Sequence, residues 1–295
     1  MNSQFRIACA LLIVSLAANL SIAQQAGSSL DGRVRSEITA FKGKVSLYAR
    51  NLETGQTYTY NGDDRVRTAS TIKIAVMIEA FARVAEGRAT WTDELVLTKA
   101  ARYGGSGVLP ELGDGLRLTL RDCVNLMMVV SDNTATNMVL DYLTTDSVNA
   151  RMKSLGYKDT LIMRRIGGGG ESREGKEADN KRFGLGSTTP HEMVRILEQL
   201  DRGEIVSKSA SKEMIDLMKR EQARYAIART AWEAPMASKY GALDRLRSCV
   251  ALVYSKRGKI AMAITVDDMP SANWSVDNEA YLLMSRLSAI FMESL

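Results

Sequence analysis

Histidine is nearly absent from this 295-residue chain, which limits the metal sites and catalytic triads that it can form. The single histidine, His191, follows Thr188-Thr189-Pro190 at the expected start of a helix. Zinc sites built from histidine and cysteine clusters are therefore excluded, and we expect neither a metal nor another cofactor. A Ser-His-Asp triad would have to use His191, for which a surface position in the first helical turn is the better interpretation.

Cysteine is also scarce, with three in the whole chain. Cys9 lies inside an apolar N-terminal run, whereas Cys123 and Cys249 lie in an apolar helical segment and an apolar strand segment. We expect the last two to be buried core thiols. An oxidising compartment would permit one disulfide, and the sequence leaves open whether they pair.

Long apolar runs are missing after the first 23 residues. Those residues combine one basic side chain, Arg6, with an apolar stretch over 7–20 and the small-residue end Ser21-Ile22-Ala23. This pattern predicts a secretory signal peptide over residues 1–23, with an uncleaved anchor as the alternative. We therefore expect a periplasmic or secreted protein that has no membrane contact after cleavage.

The sequence also lacks clusters of like charge and a linker rich in proline, serine or glycine. The formal net charge is +5, and basic and acidic residues alternate along the chain. This pattern does not resemble a nucleic-acid-binding surface, and we expect no nucleic-acid partner. We also expect a monomer that acts on a small-molecule substrate. Residues 24–295 suffice for one catalytic domain with a substantial core.

Hydrophobic periodicity predicts two early strands and three late strands with helices between them. The strands are expected over 45–50, 56–60, 237–243, 248–254 and 260–266, and the helices over 31–42, 74–85, 119–130, 134–143, 191–202, 209–219 and 276–294. A charged, glycine-rich loop fills 163–187. The early hairpin must join the late strands, which predicts an α/β (α+β) fold with a five-stranded antiparallel sheet flanked by helices and an all-α lobe over roughly 68–220.

A candidate nucleophile stands directly before the first long apolar helix. Ser70 and Lys73 are three residues apart, so they share one helix face and the lysine can reach the serine hydroxyl. The free N–H groups at a helix start would also stabilise an oxyanion beside Ser70. A serine that only caps the helix and a lysine that is only exposed would have the same spacing. The motif alone therefore does not establish a nucleophile.

Two further motifs follow in order, Ser131-Asp132-Asn133 and Lys239-Tyr240-Gly241. The series S-x-x-K, S-D-N and K-x-G resembles that of the class A β-lactamases and penicillin-binding proteins, and the resemblance covers the whole mature chain. It implies a β-lactamase/transpeptidase-like fold. It also implies that Ser70 is acylated, that Lys73 takes its proton and that Ser131 relays a proton to the departing nitrogen.

The resemblance also implies a binding role for several residues. Asn133 would hold the amide side chain of the substrate, and Lys239 would meet its carboxylate and raise the acidity of Ser131. The oxyanion hole would use the N–H groups of Ser70 and Ala242, beyond Gly241, whose missing Cβ lets a substrate approach the backbone. Tyr103 would form an aromatic wall at the mouth.

Two positions depart from the family pattern. Tyr240 stands where the family has threonine or serine, which we expect to weaken carboxylate recognition. The family's glutamate that activates water for deacylation has no clean copy, and Glu174 is the candidate, with Glu171 and Glu177 as rivals. We expect a serine β-lactamase, with a peptidase acting on D-Ala-D-Ala cell-wall peptides or a slowly deacylating β-lactam-binding sensor as the alternatives.

Overall fold

The computed structural model describes residues 29–295, so the expected signal peptide lies outside the described residues. The strands of this part are β1 Lys44–Asn51, β2 Thr57–Tyr60, β3 Val66–Arg67, β4 Glu94–Val96, β5 Arg117–Thr119, β6 Leu161–Ile162, β7 Gly186–Thr188, β8 Met236–Leu243, β9 Leu246–Ser255 and β10 Gly258–Asp267. The α-helices are α1 Leu30–Thr39, α2 Lys73–Ala85, α3 Leu120–Val129, α4 Asn133–Leu143, α5 Thr145–Ser154, α6 Arg173–Lys176, α7 Pro190–Arg202, α8 Lys208–Met218 and α9 Glu279–Ser294. Short 3₁₀ turns span Ala69–Ile72, Leu109–Glu111, Ala178–Phe183 and Ile227–Arg229.

The main sheet has the order β2-β1-β10-β9-β8 and is antiparallel throughout. The early hairpin joins the late strands through β1 and β10, which confirms the predicted five-stranded sheet. β8 is an edge strand, so alternate backbone N–H groups along it point away from β9. This free edge faces the start of α2.

Both faces of the sheet are covered by buried apolar side chains. One core lies between the sheet and helices α2 to α5, α7 and α8. The other lies beneath α1 and α9. Cys123 and Cys249 are free thiols, one in each core, and burial raises the pKa of both to about 12. Both are buried core thiols, as the apolar segments around them predicted, and the structure answers the open question of a disulfide by leaving them unpaired.

Local sequence explains where the helix that follows the loop begins and ends. The Thr189 side chain accepts a hydrogen bond of 3.0 Å from the Glu192 N–H, and Pro190 occupies the first helical position of α7. Gly203 ends the helix in the left-handed region, with φ of 74°. His191 lies in the first turn as predicted, where its Nδ1 lies 3.0 Å from Asp63 Oδ1.

Candidate active site

The candidate nucleophile lies in the short turn that connects β3 to α2. Ser70 is half-buried in the 3₁₀ turn and lines a cleft of about 1060 Å³ together with Ser131 and Asn133. The preceding residue, Ala69, has a φ of 47°, an unfavourable conformation for a residue with a Cβ. This strained turn brings Ser70 to the cleft wall just ahead of α2.

Lys73 is the first residue of α2 and is fully buried. Its Nζ donates to the Ser131 carbonyl oxygen at 2.7 Å, to Ser131 Oγ at 3.1 Å and to Asn133 Oδ1 at 3.0 Å. Burial, reinforced by the Lys239 charge, holds the pKa of Lys73 well below the usual 10.5. The lysine thus bonds to the second motif, whereas the contact expected with the Ser70 hydroxyl is not among its hydrogen bonds.

The second motif forms the turn between α3 and α4. Asp132 caps α4 through a 2.8 Å bond from the Ala135 N–H, and its other oxygen accepts from the N–H groups of Val108 and Leu109. The Asn133 amide donates to the Gly104 carbonyl oxygen at 2.8 Å. Asp132 is therefore structural, since it fixes the 104–109 loop against the helix that carries Asn133.

The opposite wall of the cleft is the free edge of β8. A Cβ at Gly241 would lie 2.7 Å from the Ser70 nitrogen and 2.8 Å from the Thr68 carbonyl oxygen, so only glycine allows this approach. Ala242 follows and lines the cleft. The two expected oxyanion-hole residues, Ser70 and Ala242, are thus brought to facing walls.

Lys239 does not line the cleft. It is fully buried, and its Nζ donates to Glu221 Oε1 at 2.5 Å. Glu221, 6% exposed, also accepts from Ser238 Oγ at 2.8 Å and from the Tyr240 N–H at 2.9 Å. This corrects the expectation that Lys239 meets the substrate carboxylate, because its charge is matched inside the protein.

Sequence reasoning missed Glu221, because nothing in the polar run after α8 distinguishes it from a surface glutamate.

Tyr240 turns toward α9 and joins an aromatic cluster that we define as Tyr225, Tyr240 and Tyr281. The ring centroids of Tyr225 and Tyr240 lie 5.0 Å apart, and those of Tyr225 and Tyr281 lie 4.9 Å apart. The phenol of Tyr240 shares a hydrogen bond with that of Tyr281. Burial raises the pKa of all three phenols, so each stays protonated near neutral pH.

The loop wall of the cleft is held by Asn137 of α4. Its Oδ1 accepts from the Ile166 N–H at 3.0 Å, and its Nδ2 donates to the Ile166 carbonyl oxygen at 3.1 Å. Ile166 lines the cleft beside Gly167 and Tyr103. A Cβ on Gly167, whose φ is 86°, would lie 2.4 Å from the Tyr103 ring. Tyr103, which we expected to form an aromatic wall, therefore packs directly against the loop.

The structure places Glu174 away from Ser70. Its carboxylate accepts from Asn149 Nδ2 at 2.8 Å and pairs with Lys153, and it does not line the cleft. Its rivals Glu171 and Glu177 are exposed and do not line the cleft either. Within residues 29–295 the carboxylates along the cleft are Asp244 and Asp268. This corrects the expectation that Glu174 activates water.

In residues 29–295 no cluster of three or more histidine, cysteine, aspartate or glutamate side chains is arranged to hold a metal ion. Over that range, none of the helices has the length and apolar character needed to cross a membrane.

The chain is similar to known β-lactamases in both sequence and fold. The chain is 27% identical to β-lactamase AER-1 of Aeromonas hydrophila over 227 residues, which are 75% of this chain and 72% of that protein. A β-lactamase structure from Sphaerobacter thermophilus superposes with a TM-score of 0.77 and 28% identity, covering 90% of this chain and 95% of that one.

The structure of PBP-A superposes with a TM-score of 0.79 over 90% of this chain and 96% of that one. At 22% identity this likeness shows the fold alone. These superpositions confirm the predicted β-lactamase/transpeptidase-like fold. The profile of the Beta-lactamase enzyme family matches residues 29–295, and the chain belongs to that family, as its three motifs predicted.

Proposed function

We propose that this protein is a serine hydrolase of the class A type that opens β-lactam rings through an acyl-enzyme on Ser70. The observation that carries the proposal is Lys73, buried one helical turn after Ser70 and bonded to Ser131 and Asn133. Depression of its pKa lets a neutral amine accept a proton, so no histidine is needed.

Acylation follows from this arrangement. Ser70 Oγ attacks the lactam carbonyl carbon while its proton passes to Lys73, and the oxyanion is stabilised by the N–H groups of Ser70 and Ala242. The carbon–nitrogen bond then breaks. The departing nitrogen takes the Ser131 proton, which Lys73 replaces across their 3.1 Å contact.

The rate of acylation should rise with pH and level off below pH 10.5, the usual pKa of a lysine. Only neutral Lys73 accepts the Ser70 proton, and its lowered pKa moves the neutral form toward physiological pH. Rapid-quench mass spectrometry of penicillin adduct formation at a series of pH values measures this profile. A midpoint at the pKa of an exposed lysine would contradict Lys73 as the base.

Deacylation is the slow step in this proposal. The 163–187 loop contributes Ile166 and Gly167 to the cleft and none of its glutamates. Without a general base the acyl-enzyme persists, because such a base typically accelerates a step by about 100- to 10,000-fold. The placement of the loop glutamates outside the cleft is the one observation that favours the second candidate, a penicillin-binding peptidase or β-lactam-binding protein.

Replacing Glu174 with glutamine should leave deacylation unchanged within about twofold. Its carboxylate bonds to Asn149 and Lys153 and does not line the cleft, so it has no water to activate at Ser70. Decay of the acyl-enzyme, followed by intact mass, is the measurement. A loss of 100-fold or more would restore Glu174 as the general base.

Nitrocefin turnover tests the proposed function and separates the candidates. We expect a burst of one equivalent followed by slow turnover, since acylation is supported and none of the three candidate loop glutamates lines the cleft. Sustained rapid turnover would identify an efficient β-lactamase. Absence of both burst and turnover, with penicillins also inert, would refute the proposal. Export to the periplasm or medium and a monomeric state complete the proposed function.

A further inference from the structure

The cleft that holds Ser70 is lined by charged side chains of both signs. They are four arginines and two aspartates, namely Arg67, Arg164, Arg182, Arg245, Asp244 and Asp268. Arg67 donates to Asp267 Oδ2 at 2.8 Å, and Lys44 pairs with Asp268 at 2.8 Å. These two lining residues therefore already have a partner of opposite charge.

The turn between β8 and β9 adds one charge of each sign. Asp244 and Arg245 are neighbours in this turn, and both are exposed. The Arg245 guanidinium donates to the carbonyl oxygen of Met269. A carboxylate and a guanidinium thus lie side by side at this end of the cleft, which favours neither an anion nor a cation.

Both charges that the 163–187 loop contributes to the cleft are positive. They belong to Arg164, which is half-buried, and Arg182, which is exposed. Neither forms an ion pair in the described part of the chain, whereas the neighbouring Arg165 pairs with Asp141 at 2.9 Å. No acidic residue of the loop lines the cleft. These two guanidiniums therefore keep their charge available for an anion.

Arg182 is positioned by an aromatic ring. The guanidiniums of Arg65 and Arg182 lie 4.4 Å and 4.7 Å from the centroid of the same ring, that of buried Phe183. A guanidinium that stacks on a ring can still donate through its N–H groups. Arg65 donates to Asn180 Oδ1 at 3.0 Å and to Ser187 Oγ at 3.1 Å. Arg182 donates to no acceptor within residues 29–295, so its N–H groups are free.

Contacts across the cleft place this part of the loop beside Asn133. The Asn133 amide donates to the Gly104 carbonyl oxygen at 2.8 Å, and the preceding residue, Tyr103, packs against Gly167. Arg164 lies three residues before Gly167 and lines the same cleft. A substrate whose side-chain amide is held by Asn133 can therefore extend that side chain along the loop toward the arginines.

We infer that Arg164 and Arg182 form a subsite for a carboxylate on the acyl side chain of the substrate. The inference rests on the proposed function, because it takes Ser70 as the acylated residue and Asn133 as the residue that holds the side-chain amide. A guanidinium donates to a carboxylate through charge-assisted and often paired hydrogen bonds, which an uncharged ester cannot match. This subsite therefore selects substrates with an anionic side chain.

Two penicillins that differ in one group test this subsite on the Ser70→Ala protein. One carries an adipoyl side chain, which ends in a carboxylate, and the other carries the methyl ester of that side chain. Both keep the same ring carboxylate. Isothermal titration calorimetry at low ionic strength should show about tenfold tighter binding of the carboxylate form. High salt should reduce the difference, because Arg182 is exposed to solvent ions.

Matched variants distinguish the subsite from a general effect of charge. In the Ser70→Ala protein, Arg164→Ala and Arg182→Ala should each reduce the preference for the carboxylate, and the double variant should abolish it. Lys181→Ala should keep the preference, because Lys181 is exposed and does not line the cleft. Unchanged affinity for the methyl ester shows that a variant keeps an intact cleft, and glutamine replaces alanine at any position where that affinity is lost.

Three results would overturn the inference. These are equal affinity for the two penicillins, a preference that survives the loss of both arginines, and a preference that Lys181→Ala removes as well. Since Ser70→Ala cannot be acylated, binding is measured independently of catalysis. Failure of the parent protein to form any penicillin adduct would refute the proposed function and leave this binding result intact.

Discussion

Replacing Ile166 with glutamate should shorten the lifetime of the acyl-enzyme by about 100-fold or more. Ile166 lines the cleft, and Asn137 bonds to both its backbone N–H and its carbonyl oxygen. A new side chain at position 166 should therefore leave the backbone in the same place. A carboxylate at this position can activate a water for attack on the ester. Acylation should change little, because it depends on Lys73.

Ile166→Gln is the matched control for that prediction. It has nearly the same size and polarity as glutamate without a basic carboxylate, so it should leave the acyl-enzyme long-lived. The decay of the penicillin adduct on intact protein measures both variants. Equal lifetimes for Ile166→Glu and Ile166→Gln would show that this wall cannot deliver a general base, or that deacylation is not limited by one.

Replacing Glu221 with glutamine should lower the free energy of unfolding by about 3–5 kcal/mol. The substitution removes the carboxylate that faces the Lys239 ammonium, and both side chains are buried. A buried charge that loses its partner keeps its desolvation cost without the compensating attraction. Urea unfolding followed by circular dichroism gives the change in free energy.

Glu94→Gln is the control for the buried pair. Glu94 pairs with Arg117 at 2.9 Å, and the two side chains are 59% and 65% exposed, so the change should cost no more than about 1 kcal/mol. Equal losses for the two variants would mean that the Lys239–Glu221 pair stabilises the fold no more than an ordinary surface pair.

The five-stranded sheet and most long helices were predictable because each has its own periodic pattern. The sequence missed α5, Thr145–Ser154, since its buried positions are few and two of them are polar, namely Thr145, Val148, Asn149 and Met152. It also missed β3 to β7, because strands of two or three residues are too short for an alternating pattern. Their pairing depends on the surrounding fold.

The residues of the candidate site likewise fall into those that the sequence predicted and those that it missed. The resemblance carried by the three motifs implied that Ser70, Ser131, Asn133 and Ala242 share one site, and the structure places all four along one cleft. The same resemblance implied a deacylating glutamate in the 163–187 loop, but Glu174 bonds instead to Asn149 and Lys153, and contacts between segments this far apart in the sequence could not be predicted. Glu221 could not be predicted, because its contact with Lys239 depends on how the chain turns after α8.

Peptide mapping by mass spectrometry after brief exposure to a penicillin tests the central claim most directly. We predict one adduct per molecule, located on the peptide that contains Ser70, long-lived in the parent protein and absent from Ser70→Ala. An adduct on another residue, or an undiminished adduct in Ser70→Ala, would contradict the account.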